Sequence, residues 1–284
     1  MKTLYIIGNG FDLWHGLPTK YENFSDYCDS NNIDFCEYYK FKYNDSYLWT
    51  DFENDLDTFD FKNYYKDNNN VDWEDDDFRP SMMYCVEDDI TEQGESLVDS
   101  INEAFSNWIH EVKISAVQSK YLFDNKAFFI SFNYTSLLTS VYKLPKENIL
   151  YIHGNADDYD SLIIGHNKTY ETDPEVDENG DSNRTLFTDA EDAAAIPFVS
   201  FIKPINEIIK KNEAVFNKLT NISNIVVLGH SLNEIDLPYF KKIHEITNNP
   251  TWKISYYNDK DKINHSSVMA EIGVFSSKYS FFKL

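Results

Sequence analysis

The sequence predicts an α/β fold, with a parallel sheet that is covered by helices on both faces. Short apolar segments alternate with segments of helical periodicity along the 284 residues, and this alternation is typical of parallel sheets. Aromatic residues make up 16% of the chain, which allows a substantial buried core. The predicted strands end in small or polar residues, as in Rossmann-like sheets that bind ligands at the carboxyl ends of their strands.

Seven short apolar segments are predicted as strands, namely residues 4–8, 127–132, 149–152, 162–164, 224–228, 252–257 and 279–282. Apolar residues at helical spacing predict a helix opening at Phe11 and further helices over residues 48–59, 96–120, 137–142, 199–219 and 235–246. Pro204 restricts where the helix of residues 199–219 begins. We expect one α/β domain that spans residues 1–284.

Residues 27–92 differ from the rest of the chain because they are both acidic and rich in aromatic residues. They are predicted to form a mostly helical insertion or subdomain, and their acidic runs are typical of solvated surface. Residues 170–192 are polar, and they are predicted either to close over the strand ends as a lid or to form a surface excursion.

The formal net charge of −23 and the pI near 4.5 argue against nucleic acid and anionic membranes as partners. No apolar stretch approaches the length of a bilayer span, and the N-terminal apolar run is too short for a secretory signal. Cys28, Cys36 and Cys85 form no C-x-x-C pair, which favours a reducing compartment. The sequence therefore predicts a cytoplasmic protein.

The candidate functional residues stand at the ends of the predicted strands: Gly8, Asn9 and Gly10, then Asn133, then His153, then His166, then Gly229, His230 and Ser231. Since parallel strands end at one edge of a sheet, these residues are expected to converge. Gly8 and Gly10 would let backbone amides approach an anion, with an ordinary tight turn as the alternative. The carboxylate of Asp12 would repel a phosphate but could accept hydrogen bonds from ribose hydroxyl groups. The alternative is that Asp12 simply caps the helix.

His153 is a candidate general base because the ordinary imidazole pKa lies near neutrality, and a structural histidine is the alternative. Asn133 would hold a water or a ribose hydroxyl group, or it would initiate the next helix. The histidines share no helix-turn spacing and no carboxylate cluster accompanies them, so no metal site is expected. Ser231 lies in G-H-S-L, not G-x-S-x-G, and a hydrolase triad is not expected.

The motifs GNGFDLWHGLPT, SFNYTSLL, YIHGN and VLGHSLNEIDLPYF occur in this order between residues 4 and 243. In this order they resemble the bacterial abortive-infection AbiH family. The resemblance implies a role in protecting bacteria against phage by halting infected cells.

The same motifs are similar, more distantly, to those of sirtuins. Gly8, Gly10, Gly16, Leu17 and Pro18 match the nucleotide loop G-A-G-x-S-x-x-S-G-I-P-D. By this resemblance the catalytic residues are Asn133 in SFNYT and His153 in YIHGN. The implied nucleotide-binding residues are Gly8, Asn9, Gly10, Asp12, Pro18, Thr19, Gly229, His230 and Ser231.

The chain departs from the sirtuin pattern near the expected nicotinamide end. Asp12 replaces a serine, Thr19 an aspartate, Tyr21 an arginine and Thr135 an aspartate. The zinc module of protein deacylases is also missing, which points toward the sirtuin-like hydrolases of phage defence. The resemblance thus implies NAD as substrate or ligand, with no other cofactor required. The pyrophosphate would lie near Gly8 and Gly10.

Two other functions are left open by the sequence. One is a nucleotide-binding sensor that does not cleave NAD, which the departures at Asp12 and Thr135 favour. The other is a protein-interaction module in which residues 27–92 contact a phage or host protein that acts as trigger. Formation of a homo-oligomer is also left open.

Overall fold

A computed structural model describes residues 2–35, 37–41, 51–69, 71, 76–157, 162–172 and 174–284. The chain packs as two compact units. The first comprises Met1–Asn23, Ser106–Ile163 and Pro204–Leu284, and the second comprises Phe24–Phe105 and Ile164–Lys203. The acidic residues 27–92 therefore belong to the second unit.

The first unit contains a six-stranded sheet in which every pair of neighbouring strands is parallel. The strands are β1 (Thr3–Ile7), β2 (Phe128–Ser131), β3 (Ile149–Tyr151), β4 (Asn224–Leu228), β5 (Thr251–Tyr256) and β6 (Tyr279–Lys283). Their spatial order is β3-β2-β1-β4-β5-β6. The predicted α/β fold with a Rossmann-like parallel sheet is confirmed.

The central strands are apolar on both faces because helices cover both sides of the sheet. In β1, Leu4 and Ile6 pack into one core cluster, while Tyr5 and Ile7 pack into another on the opposite face. Alternate residues of a strand point to opposite faces, so one continuous apolar run supplies both cores. Such a run lacks the alternation of apolar and polar residues that marks a strand with one exposed face, so only its short length identifies it as a strand.

The helices in chain order are α1 (Asn9–Trp14), α2 (Tyr21–Ser30), α3 (Phe52–Asp55), α4 (Phe61–Asn68), α5 (Met82–Glu111), α6 (Leu137–Ser140), α7 (Thr188–Ala193), α8 (Ile196–Ser200), α9 (Ile205–Lys211), α10 (Glu213–Phe216), α11 (Leu237–Ile246) and α12 (Asp259–Glu271). None of these helices combines the length and the hydropathy that a membrane span needs. The helical character predicted for residues 27–92 agrees with α2 to α4 and the start of α5.

The structure corrects several predicted elements. Residues 162–164 form no strand, although Ile163 donates a backbone hydrogen bond to the His153 carbonyl. The long helix is α5, which begins well before residue 96 and ends at Glu111, short of residue 120. Pro204 divides the predicted helix of residues 199–219 and stands at the N-cap of α9. Helix α12 was not predicted. Residues 48–50 and Cys36 lie outside the described residues.

Candidate functional site

The candidate residues of the first unit follow four neighbouring strands at one edge of the sheet. Strands β3, β2, β1 and β4 are adjacent and parallel, so the segments that begin at Gly8, Asn133, His153 and Gly229 leave the sheet on the same side. The segments of His153 and Gly8 therefore share an edge of the sheet.

Residues 132–135 divide this edge into two groups of side chains. Phe132 packs edge-on against the His153 ring at 5.5 Å between centroids, and Tyr134 stacks on the same ring at 6.5 Å. Asn133 and Thr135 instead make hydrogen bonds with Asp12. Alternate side chains of this segment thus belong to different groups, one around His153 and one around Asp12.

The carboxyl group of Asp12 is the centre of the first group. Its Oδ1 accepts a hydrogen bond from Asn133 Nδ2 at 2.7 Å, and its Oδ2 accepts one from Thr135 Oγ1 at 2.6 Å. The side chain is fully buried, and desolvation raises its pKa from the ordinary 3.8 to about 7, although both hydrogen bonds act in the opposite direction. A carboxyl group with such a pKa can hold or release a proton near neutrality.

The amide of Asn133 is oriented by this contact. Since Nδ2 donates to Asp12, the amide oxygen Oδ1 is directed elsewhere, and it accepts no hydrogen bond from any described residue. The side chain is only 5% exposed. A buried carbonyl oxygen without a donor is costly, so this atom offers an acceptor for a hydroxyl group or a water.

The second group joins two histidines through one carboxylate. Nε2 of His230 lies 3.3 Å from Asp236 Oδ2, and Nε2 of His153 lies 3.8 Å from Asp236 Oδ1. All three side chains are buried. The two imidazoles follow different strands, β3 and β4, and the Phe132 ring packs edge-on against both.

The glycines of the first loop pack against the loop that follows β4. The Gly8 N–H donates to the Leu228 carbonyl at 3.0 Å, and the Gly10 N–H donates to the Gly229 carbonyl at 2.7 Å. A Cβ atom at Gly8 would lie 2.5 Å from His230 Cα. These glycines are therefore required for contact between two backbone segments, whether or not a ligand binds.

Other residues expected to bind nucleotide lie around this contact. Asn9 and Thr19 hydrogen-bond each other through Thr19 Oγ1 and Asn9 Oδ1 at 2.6 Å, and Asn9 Nδ2 also donates to the Thr19 carbonyl. These bonds close the loop that carries Pro18. Ser231 and Pro18 are exposed. Their nucleotide-binding roles stay predictions.

A model of the family described as bacteriophage abortive infection AbiH matches residues 4–256. The chain belongs to the AbiH family. No curated protein matches the chain. No solved structure matches it either.

In this AbiH chain, the strand predicted before His166 does not form, so the reason for expecting His166 at the common edge of the sheet no longer applies. His166 belongs to the second unit, where its Nε2 lies 3.1 Å from the Phe198 carbonyl and its Nδ1 accepts from the Lys168 N–H. Burial lowers its pKa, so the neutral ring serves as a structural hydrogen-bonding group.

The described part of the AbiH chain contains no group of three or more His, Cys, Asp or Glu side chains that is placed to hold a metal ion.

Sequence reasoning missed the importance of two residues in this AbiH chain. Asp236 stands in the motif NEIDLPYF, where an aspartate before Leu-Pro is an ordinary N-cap signal that hides any other role. Thr135 was noted only as a departure from the sirtuin pattern. Its contact with Asp12 joins residues 123 positions apart, and no local sequence signal indicates it.

Proposed function

We propose that this AbiH-family chain hydrolyses NAD between nicotinamide and ribose and thereby depletes NAD during abortive infection. The observation that carries the proposal is the orientation of Asn133. Its amide oxygen is buried, faces away from Asp12 and accepts no hydrogen bond from any described residue. This is the arrangement needed to position a water or a ribose hydroxyl group beside the reacting carbon.

The contact between Asp12 and Thr135 also supports the sirtuin-like part of the proposal. Sirtuins have a serine where this chain has Asp12 and an aspartate where it has Thr135. The two side chains are hydrogen-bonded here at 2.6 Å. The two departures therefore amount to an exchange of a hydroxyl group and a carboxylate across one hydrogen bond, and they leave the local chemistry similar.

In the proposed reaction the bond between the ribose C1′ and the nicotinamide nitrogen breaks, and its electron pair leaves with nicotinamide. The oxygen of water bonds to C1′, and a proton of that water passes to His153. The products are nicotinamide, ADP-ribose and a proton. The carboxylate of Asp12 would stabilise the positive charge that develops on the ribose.

The pyrophosphate contacts implied by the sequence need one adjustment. The amide hydrogens of Gly8 and Gly10 already donate to carbonyl oxygens of the chain. A phosphate bound to these amides would have to replace those internal hydrogen bonds. Other atoms of the loop ends are therefore the better candidates for phosphate contact.

The test is release of nicotinamide from NAD by the purified full chain, followed by chromatography. Asn133→Ala and His153→Ala should each lower the rate by about 10²–10⁴-fold, because positioning and general-base catalysis each contribute on this scale. Asn224→Ala at the opposite end of β4 and His244→Ala in α11 are the matched controls, and both should keep the wild-type rate. A wild-type rate no higher than that of the Asn133→Ala/His153→Ala double variant refutes NAD hydrolysis.

A sensor that binds a nucleotide without cleaving it is the second candidate. It is favoured by the burial of Asn133 and His153, which are 5% and 2% exposed, since turnover requires substrate to reach both. Calorimetric titration with NAD and ADP-ribose distinguishes the two functions. Binding of both ligands without release of nicotinamide would indicate a sensor.

A further inference from the structure

Asp236 occupies the N-cap position of α11 but does not cap the helix. Aspartate at an N-cap normally accepts a hydrogen bond from a backbone amide of the first turn. Here the side chain makes no such bond. The local backbone is held instead by the Asn233 side chain, whose Oδ1 accepts from the Asp236 N–H at 3.1 Å.

The carboxylate of Asp236 instead faces two imidazole rings. Its two oxygens lie 3.3 Å from His230 Nε2 and 3.8 Å from His153 Nε2. The residue is 7% exposed, and a carboxylate with so little access to water needs hydrogen-bond donors. An N–H on His230 would supply one, while His153 Nε2 lies beyond hydrogen-bond distance of the other oxygen and interacts with it as a neighbouring charge partner.

The hydrogen position on one of these rings is set by the backbone. His230 Nδ1 accepts the Leu232 N–H at 2.9 Å, so in the neutral ring the hydrogen is on Nε2 and is directed at Asp236. His230 therefore holds the carboxylate in place. The other oxygen of the carboxylate faces His153.

We propose that Asp236 is a positioning residue for His153, holding the Nε2–H tautomer and stabilising the imidazolium that forms when His153 takes the proton of water. His230 anchors the carboxylate and does not take part in proton transfer. A carboxylate behind a catalytic histidine performs both tasks in other hydrolases. This assignment rests on the proposed function, in which His153 is the general base.

The test uses Asp236→Asn in the full chain, with two independent measurements. Asparagine is as good an N-cap as aspartate, so any loss cannot come from capping of α11. The single amide oxygen can accept from His230, which turns the amide NH₂ toward His153. The hydrogen of His153 should therefore move from Nε2 to Nδ1, while His230 keeps its tautomer. Nitrogen-15 spectra of the labelled histidines report both rings.

The kinetic measurement is nicotinamide release. Asp236→Asn should lower kcat by about 10²–10⁴-fold with KM nearly unchanged, since the contact acts only through proton transfer. Asp60→Asn is the matched control. Asp60 is the N-cap of α4, and its side chain does accept from its own helix at Asn63 N–H. That variant should leave both the spectra and kcat unchanged.

The outcomes separate this proposal from the proposed function. If the wild-type chain releases no nicotinamide, NAD hydrolysis fails, and the spectra alone decide the role of Asp236. An unchanged His153 tautomer in Asp236→Asn, or an unchanged kcat in an active enzyme, overturns the positioning role. If the variant does not fold, the wild-type spectrum decides, because a His153 ring with its hydrogen on Nδ1 contradicts the proposal.

Discussion

The carboxyl group of Asp12 is surrounded by protein, and two hydrogen bonds only partly replace the water that it loses on folding. Its pKa in the folded chain is about 7, above the ordinary 3.8, because desolvation outweighs the contacts with Asn133 and Thr135. Between these two values the folded chain keeps a proton that the unfolded chain has released. Ionisation of Asp12 therefore opposes folding.

The resulting prediction concerns stability against pH. From about pH 4 to about pH 7 the Asp12 contribution should lower the free energy of unfolding by up to about 1.4 kcal/mol per pH unit, and outside this window it should be constant. Asp12→Asn cannot titrate and should lack the slope. Urea unfolding of both proteins across the window measures the difference. Parallel curves for wild type and variant would contradict the raised pKa.

A second prediction concerns the exchange of residues 12 and 135. Thr135→Asp alone should be strongly destabilising, since it places a second carboxylate beside a buried one. Asp12→Ser alone removes the acceptor of Asn133. The double variant Asp12→Ser/Thr135→Asp restores one hydroxyl group opposite one carboxylate, as in the sirtuin pattern. It should recover about 0.5–3 kcal/mol relative to the sum of the single changes.

The measurement is the free energy of unfolding of wild type, both single variants and the double variant. Additive effects would mean that the two side chains do not interact, which would remove this support for the sirtuin resemblance. Ser136→Ala, next in the chain and outside the Asp12 hydrogen bonds, is a suitable control when paired with Asp12→Ser. That pair should be additive.

Among the structural elements, α1 offers a prediction about Gly10→Ala, a substitution that helix propensity favours and packing opposes. In a helix, alanine is more stable than glycine by about 0.5–1 kcal/mol. A Cβ at Gly10 would lie 2.7 Å from the Gly229 carbonyl oxygen, and neither backbone segment can yield easily. Gly10→Ala should therefore destabilise the chain by about 1–3 kcal/mol, the usual cost of overpacking.

Gly94→Ala in α5 is the matched control for this change. Its Cβ would meet Pro197 Cδ at 3.4 Å, which is ordinary van der Waals contact, so alanine should stabilise the chain there. Thermal or urea unfolding of both variants tests the pair. Equal effects of the two substitutions would mean that the loops of Gly10 and Gly229 are not in close contact.

How accurately the helices and strands could be predicted depended on the length of the apolar runs in the sequence. The run NIVVL is long enough to fix β4 to the residue, whereas the triplet of residues 162–164 is too short to separate a strand from a buried loop. Helix α12 has a poor apolar stripe. Its capping box, formed by Asn258 and Asp261, was the local signal that would have found it.

The candidate site was predictable only for residues that stand next to the end of a predicted strand. Asn133 and His153 were indicated because each comes directly after a predicted strand. The orientation of Asn133 was not predictable, since it depends on Asp12, which is 121 positions away. Asp236 had a sufficient local explanation as an N-cap, so only the tertiary structure shows its carboxylate facing two histidines.

For the whole molecule, the division into two units allows the proposed chemistry and the recognition of a trigger to be tested separately. Every candidate residue around Asp12 and His153 lies in the first unit, and the acidic residues 27–92 lie in the second. Substitutions on the described surface of residues 27–92 can therefore test recognition of a phage or host trigger without changing the proposed chemistry. The net charge of −23 makes a basic partner surface the electrostatically favoured one.

The close contact between the loops of Gly8 and Gly229 also affects how mutational tolerance should be interpreted. A saturation screen for survival of infected cultures would score both positions as intolerant of every replacement, because even one methyl group collides with main-chain atoms. That profile is the same one that a nucleotide-contacting glycine would give. Intolerance at these two positions is consequently no measure of ligand binding. Variants such as Asn133→Ala, which remove a side-chain group instead of adding one, can report ligand binding.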